Sequence, residues 1–433
     1  MMKNRKIRII RFALMMVFAF ALAFGLSSCG LFSSDYGEVS GLRVINTEIN
    51  DAGELIIYFS DNTYQNAGVI ANIENNLTVD GNGENVSGAT AKGLMSAVSI
   101  QSNFVSRTQS YIPGFGIIGG SGREYYSRGS GVIYRLEGEE ALIITNHHVV
   151  YDSGSRTSDG ISEKIQVFLY GREEENYSIK AEYVGGSQYY DIAVLRCKDS
   201  AFTTGAVRAA DVFDGAVTVG QTAIAVGNPQ GYGISASLGI VSVDSEHIML
   251  SDGVNSSRVI RVDTAVNAGN SGGGLYDGRG ELIGIVNAKI VDESVENIGY
   301  AIPTSIAIAV ADNIIDNCLG KTNKTVKRAM LGIDLSTAAA TTVINENGGV
   351  EIRETVVISG TERGSLAAGV LQKGDILLSA SIGEDKMEIT RSYHIIDYML
   401  RARVGDVVNV EIKRGGETLI KSFTVTADAI SDY

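Results

Sequence analysis

The sequence predicts a mainly β protein built from antiparallel barrels or sandwiches and closed by a helix. Many short apolar segments follow one another between residue 94 and about residue 300, split by Gly, Asn and Asp turns. They include "GSGVIYRL", "EEALIITNHH", "EKIQVFLYG", "QTAIAVGN", "GIVSVD" and "ELIGIVNAKI". Long amphipathic helical patterns are scarce before "TSIAIAVADNIIDNCLG", which argues against alternating βαβ units. Fifty-one glycines stand against 3 prolines and no tryptophan, the balance expected of tight turns between short strands. At 433 residues the chain exceeds an ordinary domain of roughly 100 to 200 residues, so two or three units are expected. A hydrophobic content of 44% and a mean hydropathy of +0.09 are those of a folded globular protein.

The first element is a targeting segment. "MMKNRKIRIIR" supplies a basic start and "FALMMVFAFALAFG" an apolar core, the layout of an export signal. The apolar run is shorter than the ~20 residues a spanning helix needs. It ends in "LSSC", Leu26 to Cys29, which resembles the bacterial lipobox. Residues 1–28 are expected to be a lipoprotein signal and Cys29 the lipidated residue, with residues 29–38 as a tether; an uncleaved anchor or a plain signal peptide is the alternative. Cleavage before Cys29 removes five basic residues and no acid, taking the formal charge from −14 to −19. So acidic a surface argues against nucleic acid and anionic lipid as partners, since both need clustered Lys and Arg. Cys197 and Cys318 stand 121 positions apart, with no metal or redox spacing. They either pair in an oxidising compartment or stay buried as thiols.

"LRVINTEI" and "ELIIYF", separated by "NDAG" and followed by "SDNT", read as a hairpin pattern. They predict a small β module over residues 39–78 whose role is not readable. The Gly- and Asn-rich tract after it predicts a linker over residues 79–93.

Chemistry enters with "NAGNSGGGLYD", residues 267 to 277, where Ser271 sits among Gly269, Gly272, Gly273 and Gly274. Glycines let the backbone take positive φ and approach a substrate closely. A nucleophilic serine needs both, because its hydroxyl must be exposed while nearby backbone N–H groups face the developing oxyanion. The fragment alone is equally a Gly-Ser hairpin turn, and residues 269 to 273 also satisfy the G-x-S-x-G elbow of α/β-hydrolases. In that fold the Asp and His follow the serine; here the candidates precede it. "YYDIAVLR" puts Asp191 at the start of an apolar strand, and "ITNHHVV" puts a histidine at the end of one. His, Asp, Ser is the order of the chymotrypsin-like double barrel.

These patterns resemble the trypsin-like protease domain of the HtrA (Deg) family followed by its PDZ domain, over residues 90 to 430 or so. The matching stretches are "GSGVI" (129 to 133), "TNHHVV" (145 to 150), "DIAVL" (191 to 195), "GNPQGYG" (227 to 233), "GIVS" (239 to 242), "GNSGGGL" (269 to 275), "ELIGI" (281 to 285) and "GYAIP" (299 to 303). The resemblance implies a chymotrypsin-like double six-stranded β-barrel over residues 94–322 and a PDZ domain over 326–433. Laying the family pattern T-N-x-H-V on Thr145 to Val149 makes His148 the base and leaves His147 at the variable position. Local physics does not separate the two, since adjacent rings on a strand point to opposite sides. His247 and His394 lie outside any matching pattern.

The implied mechanism has His148 take the Ser271 proton and return it to the leaving amine, with Asp191 fixing the ring tautomer. The amides of Gly269 and Ser271 would form the oxyanion hole; no metal or cofactor is required. Asn270 stands where trypsin-like zymogens carry an activating aspartate, which argues against activation by a new N-terminus. Ala265, six residues before Ser271, stands at the floor of the specificity pocket and offers no carboxylate to a basic substrate residue. Small or medium aliphatic residues before the cut are expected. Gly274 departs from the Ala or Pro more usual in relatives and is expected to loosen the site. Residues 104 to 129 read as a long insertion between the first two barrel strands, either a regulatory loop, as the resemblance implies, or a solvated one.

"SLAAGVLQKGDILLSASIG" (365 to 383) and "VGDVVNVEIKRGG" (404 to 416) fit a PDZ domain. "MLGI", Met330, Leu331, Gly332 and Ile333, resembles its carboxylate-binding loop, where a peptide C-terminus adds as a strand. The expected protein is therefore a lipid-anchored, extracytoplasmic serine endopeptidase for protein quality control. Its expected partners are unfolded or misfolded substrates, C-terminal peptides, the membrane through lipid on Cys29, and copies of itself in a homotrimer or larger. The rival class is a non-enzymatic PDZ scaffold or holdase whose barrel has lost activity; an intact His148, Asp191 and Ser271 speaks against it.

Overall fold

The computed structural model describes residues 44–49, 54–59, 64–69, 85–107, 109–112, 116–119, 122–249, 256–288, 298–345 and 348–433. The chain divides into two compact units, Met1–Asn76 and Leu77–Tyr433. Residues 1–38, with the expected signal, tether and Cys29, lie outside the described residues. In the first unit, β1 (Val44–Ile49), β2 (Glu54–Phe59) and β3 (Tyr64–Val69) form an antiparallel sheet in sequence order.

The second unit opens on α1 (Val86–Ser96), capped by Asn85, whose Oδ1 accepts from Gly88 N at 3.0 Å. Where a linker is expected over 79–93, most of the tract is thus helix. Its small residues look like linker composition but serve close packing: the Ser96 hydroxyl bonds the buried Tyr276 hydroxyl at 2.8 Å, and Gly93 leaves room for the same ring.

Six strands close the first barrel: β4 (Ala97–Val105), β7 (Glu124–Glu137), β8 (Glu140–Thr145), β9 (Lys164–Leu169), β10 (Ile179–Ser187) and β11 (Ile192–Lys198). Their order is β10-β11-β8-β7-β4-β9. The insertion between β4 and β7 is shorter than expected, because Val105 still pairs with Glu124; it holds a hairpin of β5 (Gln109–Ile112) and β6 (Gly116–Gly119). β8 ends at Thr145, and His147–Val150 form one helical turn, α2. The histidine pair therefore sits on a turn and not on a strand, and its rings diverge by about 100° instead of 180°.

The second barrel joins β13 (Thr222–Gly227), β14 (Ser235–Met249), β15 (Ser256–Val262), β16 (Gly274–Tyr276), β17 (Glu281–Val286) and β18 (Gly299–Pro303). It closes through the β17–β18 pairing, with β12 (Asp211–Val212) added parallel to β17. The fold is thus mainly β with the chymotrypsin-like double barrel. One apolar core crosses between the barrels, with Ile144, Ile192 and Val194 meeting Val226, Tyr276 and Ile285, and α3 (Thr304–Cys318) packs into it. Burial on both faces explains why β8 and β11 read as unbroken apolar runs.

Beyond α3, β19 (Lys327–Ala329) pairs with β26 (Ile430–Asp432). A C-terminal sheet runs β20 (Ile333–Ile344), β21 (Val350–Thr361), β22 (Ile376–Ile382), β24 (Val407–Arg414) and β25 (Glu417–Thr424), with β23 (Asp385–Glu388) paired to β22. A short helix, α4 (Ser392–Tyr398), supplies Ile395 and Tyr398 to the core of this module.

Candidate active site

The antiparallel pairing of β8 with β11 sets Thr145 opposite Ala193, so the residues just after β8 and just before β11 meet at one end of the barrel. His148 Nδ1 lies 2.7 Å from Asp191 Oδ2, and the His148 backbone N–H donates to Asp191 Oδ1 at 2.9 Å. Asn146 Nδ2 donates to the Asp191 carbonyl at 2.9 Å. These ties hold Asp191 at φ 51°, in the left-handed region that few residues other than glycine adopt. An ionised carboxylate only accepts, so the ring proton belongs on Nδ1 and Nε2 is left as the basic nitrogen. Burial alone would raise the Asp191 carboxyl; the His148 ring, its two hydrogen bonds and the charge on His147 outweigh that and hold it below its ordinary value. His147 is buried, its ring packed against Tyr151 at 4.8 Å and Tyr183 at 6.4 Å.

Ser271 comes from the other barrel. Gly274, at the start of β16, pairs with Val226 near the end of β13 and with Ile285 on β17, which puts the preceding loop at the seam between the barrels. The Ser130 N–H donates to the Ser271 carbonyl at 2.8 Å across that seam. Two successive residues after β17 reach both catalytic candidates: Asn287 Nδ2 donates to Asp191 Oδ2 at 2.8 Å, and Ala288 N–H donates to Ser271 Oγ at 3.2 Å. Among the described residues no hydrogen bond joins the Ser271 hydroxyl to the His148 ring. Within the loop Gly269 and Gly272 take φ of 97° and 85°. Asn270 and Gly272 amides are used by Asn267 and Val286 carbonyls, whereas those of Gly269 and Ser271 donate no bond among the described residues. A serine linked through residues 287 and 288 to the carboxylate that holds a histidine, with two free amides in its own loop, suits attack on a carbonyl and capture of the resulting oxyanion.

Ala265 is exposed, and its carbonyl is tied to this loop by Asn270 Nδ2 at 3.5 Å and to β14 by Ser237 Oγ at 3.0 Å. Gly274 sits against Tyr276. A Cβ there would stand 2.4 to 2.6 Å from the Tyr276 ring, so the glycine makes room for that ring. Met330 to Ile333 lie apart, lining a depression with Glu362, Ile395, Ile396 and Met399 in the C-terminal module. There the Met330 amide donates to the Ala429 carbonyl, while those of Leu331 and Gly332 donate to no described group. Cys197 and Cys318 are both buried and unpaired, which decides between the two alternatives for them. Sequence reasoning missed Asn287 and the tie made by Ser130; the signal available for Asn287 was a polar residue directly after the apolar run "ELIGIV".

The model of the trypsin-like peptidase domain matches residues 129–285. The serine protease Do-like HtrA of Lactobacillus helveticus is 31% identical over 308 residues, covering 68% of this chain and 67% of that one. The serine protease Do-like HtrA of Lactococcus lactis subsp. cremoris is 30% identical over 373 residues, covering 81% and 83%. A solved structure, the HtrA-type protease AlgW with decapeptide, aligns over 79% of this chain and 98% of that one at 27% identity, with a TM-score of 0.48. With such identity over most of the length of these two HtrA proteases, and a trypsin-like peptidase domain matched from within β7 to within β17, the chain belongs to the HtrA family of trypsin-like serine proteases and is a serine endopeptidase of that type.

Proposed function

We propose that the enzyme cleaves unfolded or misfolded proteins outside the cytoplasm with Ser271 as nucleophile, His148 as general base and Asp191 as its orienting carboxylate. The observation that carries this reading is the 2.7 Å contact of His148 Nδ1 with Asp191, made beside a serine whose loop has two free amides. On substrate binding the Ser271 hydroxyl turns from Ala288 N–H toward His148 Nε2, a bond that commonly tightens only in the complex. His148 takes the proton as Ser271 Oγ attacks the peptide carbonyl, the Gly269 and Ser271 amides receive the oxyanion, and the imidazolium protonates the leaving amine. Ala265 provides no charge for a basic side chain, so cleavage follows small or medium aliphatic residues.

The C-terminal module acts as a PDZ domain: a hydrophobic C-terminus adds as a strand along β20, with its carboxylate on the Leu331 and Gly332 amides and its last side chain toward Ile395, Ile396 and Met399. The basic and apolar N-terminal segment ending at Cys29 supports export and lipid anchoring to the membrane. The family resemblance supports a homotrimer or larger assembly. Digestion of casein tests the reading. The wild type should degrade it, faster with a hydrophobic C-terminal peptide; Ser271→Ala and His148→Ala should lose on the order of a thousandfold or more, and His147→Ala should keep most activity. Casein left intact by the wild type, with or without the peptide, would sink the proposal.

A further inference from the structure

We propose that Ser130, in the "GSGVI" stretch of β7, is a positioning residue for the oxyanion-binding loop. The inference rests on the reading that the Gly269 and Ser271 amides bind the oxyanion. In a trans peptide the N–H points away from the C=O, so whatever holds a carbonyl also aims the amide behind it. Gln230 N–H holds the Ala268 carbonyl at 2.8 Å, which aims the Gly269 amide. Gly273 N–H holds the Asn270 carbonyl at 2.9 Å, which aims the Ser271 amide. Between these two lies the Gly269–Asn270 peptide, and its carbonyl accepts from the Ser130 hydroxyl at 2.7 Å.

The Ser130 hydroxyl is fully buried and has a single proton to give; that proton goes to Gly269 while its oxygen accepts from Asn228 N–H at 2.8 Å. Asn228 is itself fixed, with Nδ2 on Ser99 Oγ at 2.6 Å and Oδ1 on Gly233 N–H at 2.8 Å. The main chain of Ser130 extends the same frame. Its N–H donates to the Ser271 carbonyl at 2.8 Å, and its carbonyl accepts from Thr145 Oγ1 at 2.7 Å, two residues after which the helical turn of the base begins. Ser130 thus ties the carbonyls of both residues whose amides are the oxyanion donors, and the strand before His148, to one buried point. The other ties along residues 268 to 270 just described are backbone to backbone, so this hydroxyl is the part of the frame that a substitution can remove.

Without it the Gly269 carbonyl and the Asn228 N–H both lose their partner, and a glycine at φ 97° gains freedom to rotate. The donors then meet the transition state out of place while substrate still binds. The test is Ser130→Ala on a fluorogenic peptide with an aliphatic residue before the cut, with a peptide aldehyde and the matching peptide acid as inhibitors. We expect kcat to fall on the order of tenfold or more, with KM within about threefold. Affinity for the aldehyde, whose adduct places an oxygen in the oxyanion position, should fall in step with kcat, and affinity for the acid should hold. A general loss of structure would move all of these together. If near-UV circular dichroism shows that Ser130→Ala is misfolded, Ser130→Cys, of similar size and a weak donor, carries the same comparison. Retention of kcat and aldehyde affinity within about twofold, or a rise in KM alone, overturns the inference. Ser271→Ala keeps the two readings distinguishable: if it retains turnover the underlying mechanism fails, whereas full turnover by Ser130→Ala beside an inactive Ser271→Ala removes only the role given to Ser130.

Discussion

Asp191 shows what one position must absorb to make a base work. Its backbone sits at positive φ, its carbonyl is held by Asn146, and its two carboxylate oxygens take bonds from His148 and Asn287. The residue types at 148, 191 and 271 were legible from their order along the chain. Asn287 was not, because its role depends on β17 ending beside the seam, which no local pattern reports. The electrostatics give a signed prediction. A carboxyl held below its unfolded value stabilises the fold at pH above about 4, and that contribution is lost as pH falls through the lower folded value. The stability gap between wild type and Asp191→Asn, measured by urea unfolding, should therefore be widest near neutrality and narrow in acid. A gap that widens on acidification would contradict the folded-state carboxylate described above.

At the level of elements, the misread segments share a cause. The first part of α1 reads as linker because Gly88, Ala89 and Gly93 are residues linkers use, yet small side chains are also what a helix needs to lie close on a bulky buried ring. The histidine pair reads as the end of the apolar strand in "ITNHHVV", but β8 stops at Thr145 and Val149 and Val150 are buried by α2 instead. In both places the period of the local pattern was too short to separate helix from strand or coil. Tyr276 links α1 to the nucleophile loop, since Ser96 bonds its hydroxyl and Gly274 makes room for its ring. Gly274→Ala forces that fully buried ring to move, at a cost of about 1–3 kcal/mol for overpacking. Thermal unfolding should shift down by several degrees, and a Gly274→Ala protein as stable as the wild type would show that the ring has room to give.

Across the whole of the second unit, the largest feature that sequence does not announce is the bond between the barrel and the C-terminal module. Arg258 on β15 pairs with Asp397 on α4, residues 139 positions apart, with side chains only 6% and 7% exposed. Ser305, in the first turn of α3, bonds both partners at 2.7 and 2.9 Å, and the guanidinium lies 4.0 Å from the Tyr393 ring centre. Arg391 makes a second crossing to Asp244 at 2.9 Å. Neither charge stands out in the sequence, because a buried ion pair needs only two ordinary residues brought together by tertiary packing. Such a pair adds little over an apolar replacement, since desolvation offsets its attraction, but removing one partner strands the other charge. Asp397→Ala should therefore cost about 3–5 kcal/mol and speed hydrogen exchange in β15 and α4. The double replacement Arg258→Met with Asp397→Leu should recover most of that loss. If the single and double variants unfold at the same temperature, the stranded charge is not the source of the instability. If Asp397→Ala matches the wild type in both measurements, the pair does not hold the module to the barrel.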